Sequence, residues 1–230
     1  MGVWGFKRAY TTVSLPENGC GMLGRIITSD ACVAEGVAWL VKADPRFGLA
    51  VDQANPLPLR LREGGFAALF DAIIGQQVST QSARAIWARL EGAGLTEEGA
   101  VATAAEEDLR ACGLSRQKIR YAHALAAARI DYGALPLMTD AQVIQTLTAV
   151  PGIGTWTAEI YAMFCLGRAD VFAHGDLALQ EATRRLLDLD ARPSEKQMRQ
   201  IAENWAPWRS VAARILWAYY RVSTTKEGIR

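Results

Sequence analysis

The stretch VIQTLTAVPGIGTWTAEIYAMF, residues 143–164, decides the fold. Its first half ends in a helical pattern carrying Val143, Ile144 and Leu147. Thr139 and Gln142 stand just before it in the spacing of a T-x-x-Q capping box, which marks a helix start. Pro151-Gly152-Ile153-Gly154 stops the helix, and a second, mostly apolar helix is expected from about Thr155 to Leu166. The glycines allow positive φ and let another backbone approach closely. Amides of Gly152, Ile153, Gly154 and Thr155 are expected to lie unpaired at the start of the second helix. With the positive end of the helix dipole they form an anion site. A DNA phosphate suits such a site without any lysine; a plain helix–helix turn is the alternative.

Outward from this unit the chain continues to read as helix. Ser29 or Asp30 can cap a helix bearing Val33, Val37, Leu40 and Val41, and Asp44-Pro45 ends it and opens a short second one. NPLPLR, residues 55–60, is a linker. Two apolar stretches between 64 and 91 flank a polar break, GQQVST. Residues 96–112 hold two short helices, and Ser115 can cap the next. Asp176 begins a helix, and two more follow near 194–205 and 207–222, the last with Pro207 in its first turn. No stretch alternates with the period of a strand. The expected class is all-α.

Composition narrows the rest. A chain of 230 residues, 50% hydrophobic, can bury one substantial core or two lobes sharing a cleft. Net charge is +1, so any nucleic-acid contact depends on local groups or backbone amides. Cys20, Cys32, Cys112 and Cys165 form no C-x-x-C pair, and His123 and His174 are too few for a histidine-led metal centre. The N-terminus lacks a signal-peptide core and no apolar run matches a membrane span, so a cytoplasmic protein without membrane contact is expected.

The hairpin and four further segments, in this order, resemble the helix-hairpin-helix, Gly/Pro-Asp (HhH-GPD) DNA glycosylase superfamily. These are FDAIIGQQVSTQSARAIW (70–87), LRACGLSRQKIRYAHALA (109–126), RADVFAHGDLALQEATRRLL (168–187) and WAPWRSVAARILWAYY (205–220). The last is similar to the 3-methyladenine glycosylase II branch, the AlkA type. The resemblance implies two helical lobes flanking a DNA-binding cleft: residues 29–70 plus 176–230, and residues 71–175 with the hairpin unit at 139–166. Residues 1–28 are expected to be a loosely held arm. With about 60 residues before Phe66, the N-terminal β-domain of that branch is expected to be missing, as in compact members.

The resemblance also assigns roles. Asp176, 22 positions after Gly154, becomes the catalytic carboxylate. Its alternative reading, a helix cap, is compatible, because a helix start favours an ionised carboxylate. Such a group stabilises the positive charge that develops on deoxyribose when a glycosidic bond breaks. Position 156 holds lysine in bifunctional relatives; Trp156 offers no amine for a Schiff base, which implies a monofunctional enzyme. Trp156, otherwise a core residue, and Trp217, which falls off the apolar stripe of its helix with Ser210 and Arg214, are expected to line a pocket for a flipped base. Gln76 or Gln77 fills the gap that the base leaves. Thr157 joins the hairpin amides at the DNA, and Arg116 and Lys118 either touch phosphate or lie on a solvated face. A monovalent cation, sodium or potassium, is implied at the carbonyls of Thr148, Val150 and Gly152. An iron–sulfur cluster is not expected, since no cysteine follows Cys165. The implied activity is hydrolytic excision of alkylated purines, of the 3-methyladenine and 7-methylguanine class, from double-stranded DNA by a monomer. Excision of oxidised or deaminated bases, or DNA binding without catalysis, are the alternatives.

Overall fold

The computed structural model describes residues 24–54 and 57–227. Among them are twelve α-helices and no strand, only an isolated bridge between Ile26 and Arg168. The helices are α1 (Asp30–Ala43), α2 (Arg46–Ala54), α3 (Phe66–Gly75), α4 (Thr80–Gly92), α5 (Glu98–Thr103), α6 (Glu106–Ala111), α7 (Arg116–Ala127), α8 (Asp140–Thr148), α9 (Thr155–Phe164), α10 (Leu177–Leu186), α11 (Glu195–Ala202) and α12 (Arg209–Glu227).

Local chemistry sets most of the boundaries. Both arms of the capping box close at Thr139 and Gln142. Ser79 and Ser115 cap α4 and α7 through their hydroxyls. Asp44 accepts from the backbone N–H of Arg46 and starts α2. Ser29 precedes α1 without a capping bond; its hydroxyl sits 3.5 Å from the Cys32 thiol instead. That contact and neighbouring backbone amides draw the thiol down to about 7. Pro207 does not lie in the first turn of α12. It follows a cis peptide bond, and the helix begins two residues later.

Helix α12 forms the axis of one group, packed by α1, α2 and α10. Every side chain from Ser210 to Leu216 is buried. The second group is built on α3, which packs against α4, α7 and α9, with α8 against α9 and α5 and α6 against α7. Helix α3 therefore belongs wholly to the second group, and a boundary at residue 70 would cut through it. One hydrophobic core runs through both groups from Ile27 to Leu216.

The expected loose arm is only partly described. Residues 1–23, including Cys20, lie outside the described residues, as do 55–56 of the linker. Residues 24–28 are tied down. Ile27 is 1% exposed, its N–H donates to Gly167 O, and Arg25 O accepts from Ala169 N.

Candidate active site and DNA-facing hairpin

The hairpin turns between α8 and α9. Gly152 has φ +94°, and a Cβ there would come within 2.4 Å of the Tyr121 ring on α7. Glycine is required at this position by conformation and by an internal neighbour, rather than by an approaching ligand. Gly154 is the reverse case. Its φ is −88°, it is exposed, and nothing lies within 4 Å of its Cβ position. It stands at the N-cap of α9, where no side chain satisfies the first amides. That open, uncapped helix start faces outward. One amide of the expected four is spent internally: Ile153 N–H donates to Val150 O at 3.1 Å, and the Ile153 side chain is buried. Thr157 is also buried, 7% exposed, and lines a cleft behind the hairpin.

Asp176 caps α10. Its Oδ1 accepts from the amides of Ala178 and Leu179 at 2.9 and 3.0 Å. Its Oδ2 accepts from Trp156 Nε1 at 2.9 Å. The carboxylate is thus held in place by three N–H groups from two helices. A carboxylate offers about four lone-pair positions, so one on Oδ2 stays open to water or substrate. Trp156, 47% exposed, does more than line a wall. As the second residue of α9 it links the hairpin helix to the catalytic candidate.

Beside this pair opens a cleft of about 990 Å³ between α3, α4 and α9. Small residues of α3, such as Ala68, Ala72 and Gly75, hollow out one wall, and Trp156, Ile160 and Phe164 at helical spacing form another. Asp71 projects into the cleft, a position absent from the sequence reading. Water reaches it, but the surrounding walls raise its carboxyl above the ordinary range, partly offset by Arg62. Deeper groups shift further. Burial pushes the Tyr161 hydroxyl up to about 12 and the Cys165 thiol up to about 11. The Tyr161 oxygen accepts from Gly65 N–H.

Trp217 does not line this cleft. It is half-buried, its ring 5.8 Å from that of Phe164, which does line it. The reasoning from a polar face fails because that face is not wet. Ser210 and Arg214 are 0% and 1% exposed. The Ser210 hydroxyl donates to Arg168 O and Val171 O, and the Arg214 guanidinium donates to Leu59 O and Ser210 O. Arg214 also lies over the Phe164 ring at 4.7 Å, and burial lowers its proton affinity to about 10.

The two glutamines separate. Gln76 Nε2 donates to Gly152 O at 2.9 Å and ties the α3–α4 turn to the hairpin. Gln77 is exposed, with φ +56°, an unusual conformation for a side-chain-bearing residue. Lys118 neither meets solvent nor waits for phosphate. It is 9% exposed and its Nζ donates to Ile74 O at the end of α3 at 2.7 Å, with its proton affinity lowered by burial. Arg116 remains exposed at the start of α7. No cluster of metal-binding side chains occurs among the described residues.

Residues 70–207 match the family model described as HhH-GPD superfamily base excision DNA repair protein. DNA-3-methyladenine glycosylase 1 of Schizosaccharomyces pombe is 30% identical over 72% of this chain and 76% of its own length. Three other curated relatives are matched over only 40% to 54% of their own length. The solved structure of Schizosaccharomyces pombe 3-methyladenine DNA glycosylase (Mag1) in complex with abasic DNA superposes with a TM-score of 0.68 at 27% identity, covering 80% of this chain and 95% of that one. A DNA-3-methyladenine glycosidase from Bacillus halodurans gives 0.72 at 30% identity, with coverages of 88% and 94%. With a matched model over more than half its length, and an exposed hairpin beside a helix-capping aspartate, the chain belongs to the HhH-GPD superfamily of base excision DNA repair proteins.

Proposed function

We propose that the protein is a monofunctional DNA glycosylase that excises alkylated purines from duplex DNA and hydrolyses the N-glycosidic bond. The observation that carries this reading is the Asp176 carboxylate, braced by two helix amides and by the indole of Trp156, a residue that itself lines the cleft. The exposed amides at the start of α9 receive a backbone phosphate, which positions the duplex without reading its sequence. Gln77, at the tip of the α3–α4 turn, enters the gap left by the extruded nucleotide, while Gln76 holds the turn to the hairpin. Trp156 offers a ring face to the base, attracting a cation by roughly 0.5–2 kcal/mol, and Phe164 closes the apolar wall behind it.

Asp176 then stabilises the positive charge developing on the sugar, and the open Oδ2 position orients the attacking water. A base already carrying positive charge leaves with little protonation, so one carboxylate suffices. Trp156 supplies no amine, and cleavage of the resulting abasic strand is not expected by that route. A sodium or potassium ion at the carbonyls of Thr148, Val150 and Gly152 would brace the hairpin. The Val150 and Gly152 oxygens each accept one internal hydrogen bond and keep a second lone pair. The protein acts as a monomer at the cytoplasmic chromosome. No helix among the described residues is long and apolar enough to cross a membrane.

The test is release of 3-methyladenine and 7-methylguanine from methylated duplex DNA, beside duplexes carrying hypoxanthine or 8-oxoguanine. Preferential release of the cationic bases supports the reading. Release of the neutral lesions alone would make this a glycosylase of another specificity, and DNA binding without release of any base would make it a non-catalytic member of the family.

A further inference from the structure

Two residues before Asp176 lies a buried polar pair that has no part in the reading above. His174 and Glu159 are 7% and 5% exposed, and His174 Nδ1 donates to Glu159 Oε1 at 3.3 Å. Glu159 is on α9, three residues after Trp156. His174 sits on the loop that carries Asp176 from α9 to α10. The same loop is gripped elsewhere. The His174 carbonyl accepts from the buried Gln180 amide of α10 at 3.0 Å. Asp176 N–H closes a turn onto Ala173 O. The imidazole packs on Phe172, which packs on Trp205. Arg199 of α11 approaches Glu159 Oε1 at 3.7 Å and is itself bound by Glu195.

A carboxylate placed deep in the protein is costly unless paired, and nothing in hairpin folding requires one at this point of α9. Its position has a geometric consequence. Trp156 and Glu159 reach from the same helix to the same loop, one gripping Asp176 and the other gripping His174. Two attachments on either side of Gly175 remove the freedom of the loop to swing about one.

We propose that Glu159 and His174 are positioning residues that fix the Asp176 carboxylate relative to α9, and so to the base held against it. The proposal rests on the glycosylase reading. It predicts an effect on chemistry that passes through Asp176, rather than a general loss of fold or of DNA affinity.

The experiment compares single-turnover base release at saturating protein, duplex affinity and amide hydrogen exchange for wild type, His174→Ala, His174→Asn and Glu159→Ala. Positioning errors near one ångström cost about 100-fold, so the two alanine variants should release base about 10- to 100-fold more slowly, with duplex affinity within about twofold of wild type. The amides of Ala178 and Leu179, which Asp176 caps, should exchange faster. His174→Asn, whose amide nitrogen stands near the place of Nδ1, should restore most of the rate. In an Asp176→Asn background, His174→Ala should have no further effect, because its action is through that carboxylate. Folded alanine variants with wild-type exchange at Ala178 and Leu179 would overturn the proposal. So would a rate loss that repeats in full on top of Asp176→Asn. Should His174→Ala not fold, Glu159→Ala carries the same test. Absence of base release by wild type would refute the glycosylase reading, and the exchange experiment would then decide the positioning by itself.

Discussion

Gly152→Ala isolates what the hairpin demands of its own sequence. At φ +94° an L-residue pays about 1–2 kcal/mol for the left-handed conformation. Its Cβ would also stand 2.4, 2.6 and 2.8 Å from three atoms of Tyr121, far inside contact distance, so the ring must move. Overpacking of this kind costs about 1–3 kcal/mol, which brings the total to roughly 2–5 kcal/mol. For a chain of this size each kcal/mol lowers Tm by about 2–4 °C, so thermal denaturation should show a fall of about 4–20 °C. Part of this is relievable. In a Tyr121→Ala background only the conformational share, about 1–2 kcal/mol, should remain. Gly154→Ala is the control: φ is −88° and the Cβ meets nothing within 4 Å, so Tm should change by less than about 2 °C. A Gly152→Ala protein as stable as wild type, or one whose loss is unaffected by removing Tyr121, would refute the reasoning.

Gly154→Asp places a negative charge at the open start of α9 and should weaken binding to all duplexes alike, damaged or not, by about tenfold; unchanged affinity by fluorescence anisotropy would remove the hairpin from the interface. Lys118→Met should cost about 1–3 kcal/mol in urea denaturation by stranding the Ile74 carbonyl, while the salt dependence of DNA affinity stays at its wild-type slope. A slope reduced by about one would instead make Lys118 a phosphate contact. Borohydride reduction during reaction with lesion or abasic DNA should trap no covalent complex, since Trp156, beside Asp176, supplies no amine for a Schiff base; a trapped band on a denaturing gel would contradict this.

Much of the fold was readable because its signals are local. The Thr139–Gln142 box, the cap at Ser115 and the helix start at Asp176 are short-range chemistry, and each appears in the structure at its residue. Tertiary context decided what was not readable. Lysine is rarely buried, and nothing near Lys118 in sequence announces that the end of α3, 44 residues earlier, supplies its acceptor. The stripe argument for Trp217 presumes an amphipathic helix, but α12 is buried on every side from Ser210 to Leu216, and its off-stripe Ser210 and Arg214 bond to backbone carbonyls inside the protein. The indole N–H of Trp156 has no preferred partner in sequence; only folding brings Asp176, 20 residues on, to within 2.9 Å. Gln76 and Gln77 are equivalent on paper, and the reversal of φ between them separates their roles.

In the proposed reaction the Asp176 charge is what lowers the barrier to losing an alkylated base. Asp176→Asn keeps an oxygen for the Ala178 and Leu179 amides and removes the charge, so fold and duplex affinity should survive. The displaced Trp156 N–H, on a half-exposed side chain, can turn to water. The decisive measurement is single-turnover release of 3-methyladenine from methylated duplex DNA by wild type and by this variant. Wild type should release the base, and the variant should lose at least about 100-fold at equal DNA binding, comparable to removal of a main electrostatic stabiliser elsewhere. No release by wild type, or a variant within about tenfold of it, would contradict the account.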